Sequence, residues 1–228
     1  MMAKPTQRED NDQPAWRSVR AWLTLLLVLA AGLGLDLVSK SMAFHSVADE
    51  PVVLDREVLL GNSDWRPPWH ESVTVLPWGL LDFDLVVNHG AVFGIGQERR
   101  AVFVVFTIVA ILVAISIFAF KTRAKSHWVH VGIALILAGG LGNLVDRLQY
   151  GAVRDFLHML PEWSLPFGFA WPGGNTEVFP WIFNIADVLL LSGMAILILR
   201  SSPPTPSDAE QTDRALDVDQ QSKVERVE

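Results

Sequence analysis

Apolar residues gather in runs long enough to be helices that cross hydrocarbon, and polar segments of very unequal length separate them. Residues 101–120 form the cleanest run, with Thr107 and Ser116 as its only polar members. Twenty helical residues cover the ~30 Å of a bilayer core. A first run covers residues 21–35, is interrupted by Asp36 and ends at Lys40; a third covers about 128–146 and a fourth about 179–199. The pattern predicts four spans, at about 21–40, 101–120, 128–146 and 179–199. A cleavable secretory signal is the competing reading of the first run, since a basic flank precedes it and Ala30-Ala31-Gly32 offers small residues. The long polar flank and the apolar character that resumes beyond any cut site speak for a retained span.

The connecting segments differ in kind. Residues 121–125 hold three basic side chains, Lys121, Arg123 and Lys125, and no acid, which predicts a cytoplasmic loop. With four spans both termini then face the cytoplasm, and segments 41–100 and 147–178 lie outside. Residues 81–87 alternate before turning apolar, as a half-buried strand does, and residues 52–54 and 73–76 are its candidate partners. A small sheet resting on the membrane is expected there. The second outer segment is rich in Pro, Gly, Trp and Phe and reads as irregular structure at the interface. Residues 1–20 and 201–228 are polar, charged and low in apolar content, and are expected to be disordered cytoplasmic tails.

Composition agrees with a small polytopic membrane protein. Half of the 228 residues are hydrophobic, and the mean hydropathy of +0.31 is high for a soluble domain. Nine Trp suit interfacial anchoring. The net charge of −7 argues against a nucleic-acid partner. Cysteine is absent, so disulfides, thiolate nucleophiles and cysteine metal sites are excluded. His127 and His130 stand at i, i+3, but there is no HExxH and both lie at the predicted cytoplasmic end, so no metal and no cofactor is expected. No serine sits in an elbow motif, and Ser39-Lys40 is adjacent where a helical Ser/Lys dyad needs wider spacing.

Carboxylates carry the candidate chemistry. Asp146 closes the apolar run that begins at Ile133, and Asp187 lies inside the fourth run. An ionised carboxylate on a helix in hydrocarbon costs about 2.5–3.5 kcal/mol on the mildest scale, so each needs a partner or a task. On a helix Asn143, Asp146 and Arg147 share a face at i, i+3 and i+4, and Asn184 and Asp187 do so at i, i+3. Gly139, Gly140 and Gly142 permit close approach of a neighbouring backbone. Each fragment also has a plainer reading: polar residues capping a packing helix, Asn184 as an N-cap, and Asp36 with Lys40 as a self-neutralising i, i+4 pair. Asp155 sits between bulky apolar neighbours in a short loop or strand, and Asn88 precedes a turn at Gly90.

In order, the fragments Asp36-Leu-Val-Ser-Lys40, Asn88-His-Gly-Ala-Val-Phe93, Gly142-Asn-Leu-Val-Asp-Arg147, Val153-Arg-Asp-Phe156 and Phe183-Asn-Ile-Ala-Asp187 resemble lipoprotein signal peptidase, the bacterial type II signal peptidase. The likeness covers roughly residues 21–200, with gaps. It implies an all-α membrane protein of four transmembrane helices with a small extracytoplasmic β-cradle and a short interfacial helix. It implies an aspartic endopeptidase of the inner membrane that cuts prolipoproteins just before a diacylglyceryl-modified cysteine, with Asp155 and Asp187 as the catalytic pair. Asn88, Asn143, Arg147 and Asn184 are implied to bind substrate. Asp36, Lys40, Gly142 and Asp146 are implied as supporting positions. Expected partners are diacylglyceryl prolipoproteins and membrane lipid, with the protein a monomer. Val92 replaces the family's usual Ala, and both outer segments are longer than usual. The alternative readings are a proton-coupled transporter that relays protons through Asp36, Asp146 and Asp187, and an inactive scaffold braced by the acids.

Overall fold

The computed structural model describes residues 13–90 and 100–200. The expectations for residues 1–12, for Val92 and for the tail 201–228 lie outside the described residues. Among the described residues there are five α-helices: α1 Val19–Ser46, α2 Arg56–Gly61, α3 Arg100–Lys121, α4 His127–Gln149 and α5 Ile185–Arg200. Four strands, β1 Val73–Leu76, β2 Leu81–Asn88, β3 Val153–Met159 and β4 Ile182–Phe183, form one antiparallel sheet in the order β1-β2-β3-β4.

Helices α1, α3 and α4 are long and apolar enough to cross a membrane. α3 turns Val102, Val105, Phe106, Val109, Leu112 and Val113 outward. Exposed apolar surface all along a helix is the mark of a lipid-facing element. α1 begins two residues earlier than the apolar run and continues six residues past Lys40, capped at its start by the Ser18 hydroxyl, which accepts from the Ala21 amide. The fourth run is corrected at its start. Its helix begins at Ile185, after the short strand at residues 182–183. Ile182 and Phe183 pair with β3 and Asn184 caps the helix, so the chain is not helical from 179.

α4 and α5 lie close because their contact is made of small residues. A Cβ on Gly139 would strike the Ala186 carbonyl, and one on Gly193 would strike the Gly132 carbonyl. Gly132 and Gly139 are two turns apart on one face of α4, so the seam runs along both helices. At the end opposite the sheet, Ala15, Leu25, Phe118, Ile133 and Leu137 form one apolar core. His130 is fully buried there, 3.1 Å from the Thr122 hydroxyl.

A second core joins the sheet to the helices through Phe44, Leu59, Leu85, Val87, Phe156 and Leu157. The expected strand over 81–87 forms as β2 and pairs with β1, but residues 52–54 are not a strand. Val52 donates its amide to the Phe44 carbonyl at the end of α1, which folds that segment back on the helix. The central partner of β2 is β3, which follows α4 after a tight turn at Gly151, φ +89°. The segment after β3 is less irregular than its composition suggests. Ser164 and Glu177 bridge, and Trp171, Trp181, Phe179 and Phe183 stack edge to face in sequence.

Candidate active site

All ten residues singled out in the sequence meet where α1, α4 and α5 run into the sheet. The tight turn at Gly151 drops β3 onto the end of α4. Successive strand residues face opposite sides, so Arg154 points to one and Asp155 to the other.

Arg154 turns toward α4. Its guanidinium donates to Asp146 at 2.8 and 3.2 Å, and its amide donates to the same carboxylate at 3.0 Å. Lys40, fully buried, lies 3.5 Å from Asp146 and 2.9 Å from Asp36. Two acids and two bases thus neutralise one another inside the protein, as buried charge requires. The i, i+4 pair of Asp36 and Lys40 is real, but it is one part of a wider network. Asp36 also accepts the Ala186 amide at 2.8 Å, which anchors the first turn of α5 to α1. Gly142 makes room for this contact, because a Cβ there would collide with the Asp36 carboxylate.

Asn143 carries the network onward. Its side-chain oxygen accepts from Lys40 at 2.9 Å and from the Asn184 side chain at 3.1 Å. With its oxygen occupied by two donors, its amide is left to donate, and it does so to Asp187 at 2.9 Å. Lys40 therefore fixes the orientation of an amide that holds Asp187.

Asn184 and Asp187 form a reciprocal cap at the start of α5. The Asn184 amide donates to the Asp187 carboxylate at 3.1 Å, and the Asp187 amide donates to the Asn184 side chain at 3.3 Å. The N-cap reading of Asn184 is correct and incomplete, since the same side chain also donates to Asp155 at 2.6 Å. Asp155 accepts a second bond from Asn88 at 3.0 Å. Val86 lies opposite Asp155 in the β2–β3 register, which sets Asn88 diagonally across from it.

The two carboxylates held in this way differ in environment. Asp155 is 2% exposed, whereas Asp187 is only half-buried. Burial first, and the neighbouring Asp187 charge second, push the Asp155 carboxyl up to about 7, against the pull of its bonds from Asn88 and Asn184. Two clefts reach the pair. One of about 290 Å³ opens between α3, α4 and α5 and is lined by Phe103, Phe106, Ile111, Asn143, Arg147 and Asp187 among others. The other, about 280 Å³, lies over the sheet and contains Asn88 and Asp155. Arg147 donates to the Asn143 carbonyl at 3.2 Å, and its guanidinium lies 5.6 Å from the Phe103 ring centre.

Arg154 is the residue that the sequence reading left without a role. Its signal was partial: a base beside Asp155 on a strand must face away from it, and the turn at Gly151 is what brings Asp146 to that side. His127 and His130, the pair weighed as metal ligands, lie at the start of α4, and Asp146 and Arg147 at its end.

The family model described as signal peptidase (SPase) II matches residues 28–202. The lipoprotein signal peptidase of Shewanella halifaxensis (strain HAW-EB4) is 34% identical over 171 residues, 73% of this chain and 86% of that protein. That of Halothermothrix orenii (strain H 168 / OCM 544 / DSM 9562) is 39% identical over 129 residues, 57% of this chain and 74% of that one. Among solved structures, a bacterial membrane enzyme determined by the in meso method shares the fold with a TM-score of 0.59 at 23% identity, covering 86% of this chain and 99% of that one.

Proposed function

The chain belongs to the signal peptidase II family, a membrane protease family that removes signal peptides from prolipoproteins, and from that premise we propose that it cuts by an aspartic mechanism at Asp155 and Asp187. The observation that carries this reading is the single residue, Asn184, that binds both carboxylates. The transporter alternative finds no support in the family, and the acids it would use gather at one end of the helices.

Asp155 is the member of the pair that keeps a proton more readily, because it is buried and an anion there would face a second carboxylate. Asp187, reached by the helix-lined cleft, acts as the base and takes a proton from a water. The water oxygen bonds to the scissile carbonyl carbon while Asp155 gives its proton to the carbonyl oxygen. A gem-diol results, with Asp155 now ionised and Asp187 protonated. Asp187 then protonates the amide nitrogen, the C–N bond breaks, and Asp155 recovers its proton from the diol. Asn88, Asn143 and Asn184 keep the carboxylates in register. Arg147 offers a fixed fork of donors to peptide carbonyls or ester oxygens in the same cleft as Asp187.

The scissile bond lies before a cysteine bearing diacylglycerol. Two acyl chains, at about 0.8 kcal/mol per buried CH₂, hold that cysteine at the membrane surface. α5 is the fourth span. Its sixteen residues rise about 24 Å, and its seam with α4 keeps it upright beside a helix long enough to cross. The basic 121–125 loop lies at the end opposite the sheet, which supports a reading with that end toward the cytoplasm and the carboxylates at the outer face of the inner membrane. One chain supplies every group in this scheme, which is compatible with action as a monomer.

The test uses purified protein in lipid and a precursor peptide with or without the diacylglyceryl group. Cleavage before the modified cysteine that persists in excess chelator supports the reading. Equal turnover of the unmodified peptide, or loss of activity with the chelator, contradicts it.

A further inference from the structure

The two clefts meet at the carboxylates from different sides. Asp187 lines the one between α3, α4 and α5, and Asp155 lines the one over the sheet. Given the peptidase reading, on which this inference rests, a bound substrate has a part in each. The signal segment and the acyl chains are apolar and belong beside the lipid-facing helices. The polypeptide that continues past the modified cysteine is water-soluble, so it must leave on the Asp155 side.

The walls of that second cleft suit a peptide. They come from residues 63–66 of the first outer segment and 180–182 before α5, with Ser63, Arg66, His89, Pro180 and Trp181 facing the space. The His89 Nε2 atom is buried and has no hydrogen-bond partner among the described residues. An orphaned buried ring nitrogen is uncommon in a finished site, and a peptide amide is a donor of the kind it lacks. Burial, and next the charge of Arg66, hold the His89 ring below the usual imidazole range, so it stays neutral. Arg66 is exposed and spends one Nη1 donor on the adjacent Trp65 carbonyl at 3.2 Å, which leaves most of its fork available. Asp64 is the opposing charge nearby, and its field at His89 is weaker than that of Arg66.

We propose that this cleft binds the first residues of the mature chain after the modified cysteine, and that Arg66 selects an acidic side chain among them. The substrate class so defined is a lipidated precursor with Asp or Glu shortly after the cleavage point.

Precursor peptides that differ at one position test this. Glu, Gln or Lys is placed at each of the second to fourth residues after the cut, and kcat/KM is measured for the wild type, Arg66→Gln and Arg66→Glu. The wild type should favour Glu over Lys by about fivefold to tenfold at one of these positions. Arg66→Gln should bring the ratio close to one, and Arg66→Glu should invert it. Moving the Glu about ten residues downstream should erase the preference, which separates contact in the cleft from a general field. Equal rates with Glu and Lys in the wild type, or a ratio untouched by Arg66→Glu, would overturn the proposal while leaving the peptidase reading intact. If the wild type cut no lipidated precursor, both would fall together.

Discussion

Asn184 donates its side-chain amide to Asp155 over 2.6 Å, while its backbone amide holds Asp187 at 3.1 Å. One residue at a helix start thus sets the geometry of both acids. Asn184→Ala should lower kcat by about 100-fold, the scale expected when reacting groups lose their alignment. The lost bond also favoured the ionised form of Asp155. The basic limb of the pH profile should therefore move upward in this variant. A lower kcat with an unmoved limb would make Asn184 a helix cap and nothing more.

The wild-type pH profile follows from the same carboxyl. In the proposed mechanism Asp155 gives a proton to the carbonyl oxygen, and its carboxyl is held up to about 7. Below that value the proton is present, and above it the proton is lost. Accordingly kcat/KM should fall as pH rises through about 7, one proton being lost. The measurement is kcat/KM against pH in lipid of fixed composition, and a flat profile up to pH 9 would rule out this assignment of the proton.

Lys40 is the positive centre of a network in which it, Asp36 and Asp146 are all fully buried. Lys40→Met should destabilise the protein by about 3–5 kcal/mol, since it leaves the buried Asp36 without a counter-charge and Asp146 with Arg154 alone. The double variant with Asp36→Asn should recover part of that loss. Thermal unfolding in one detergent compares the three proteins. Equal stability of wild type and Lys40→Met would show that the buried network contributes nothing to the fold.

Much of this was legible along the chain because two periodicities dominate it. The apolar runs marked α1, α3 and α4, and the alternation at 81–87 marked β2. The intramembrane cost of charge flagged Asp146 and Asp187 before any fold was known. What was not legible depends on long-range pairing. β4 is two residues long and exists only because β3 is beside it. Residues 52–54 have strand-like composition and fold back on Phe44 instead. Arg154 could be given its partner only once Gly151 had turned β3 back onto the end of α4. Asn184 has the composition of a cap, and only the fold adds its bond to Asp155.

The central claim is that Asp155 and Asp187 together activate one water. Its most direct test is turnover of a diacylglyceryl precursor peptide by Asp155→Asn and by Asp187→Asn, each shown to insert and melt like the wild type. Asparagine keeps the shape of either side chain but can neither accept nor release the proton, so each change should reduce kcat by at least about 1,000-fold. Substantial cleavage by either variant would contradict the mechanism.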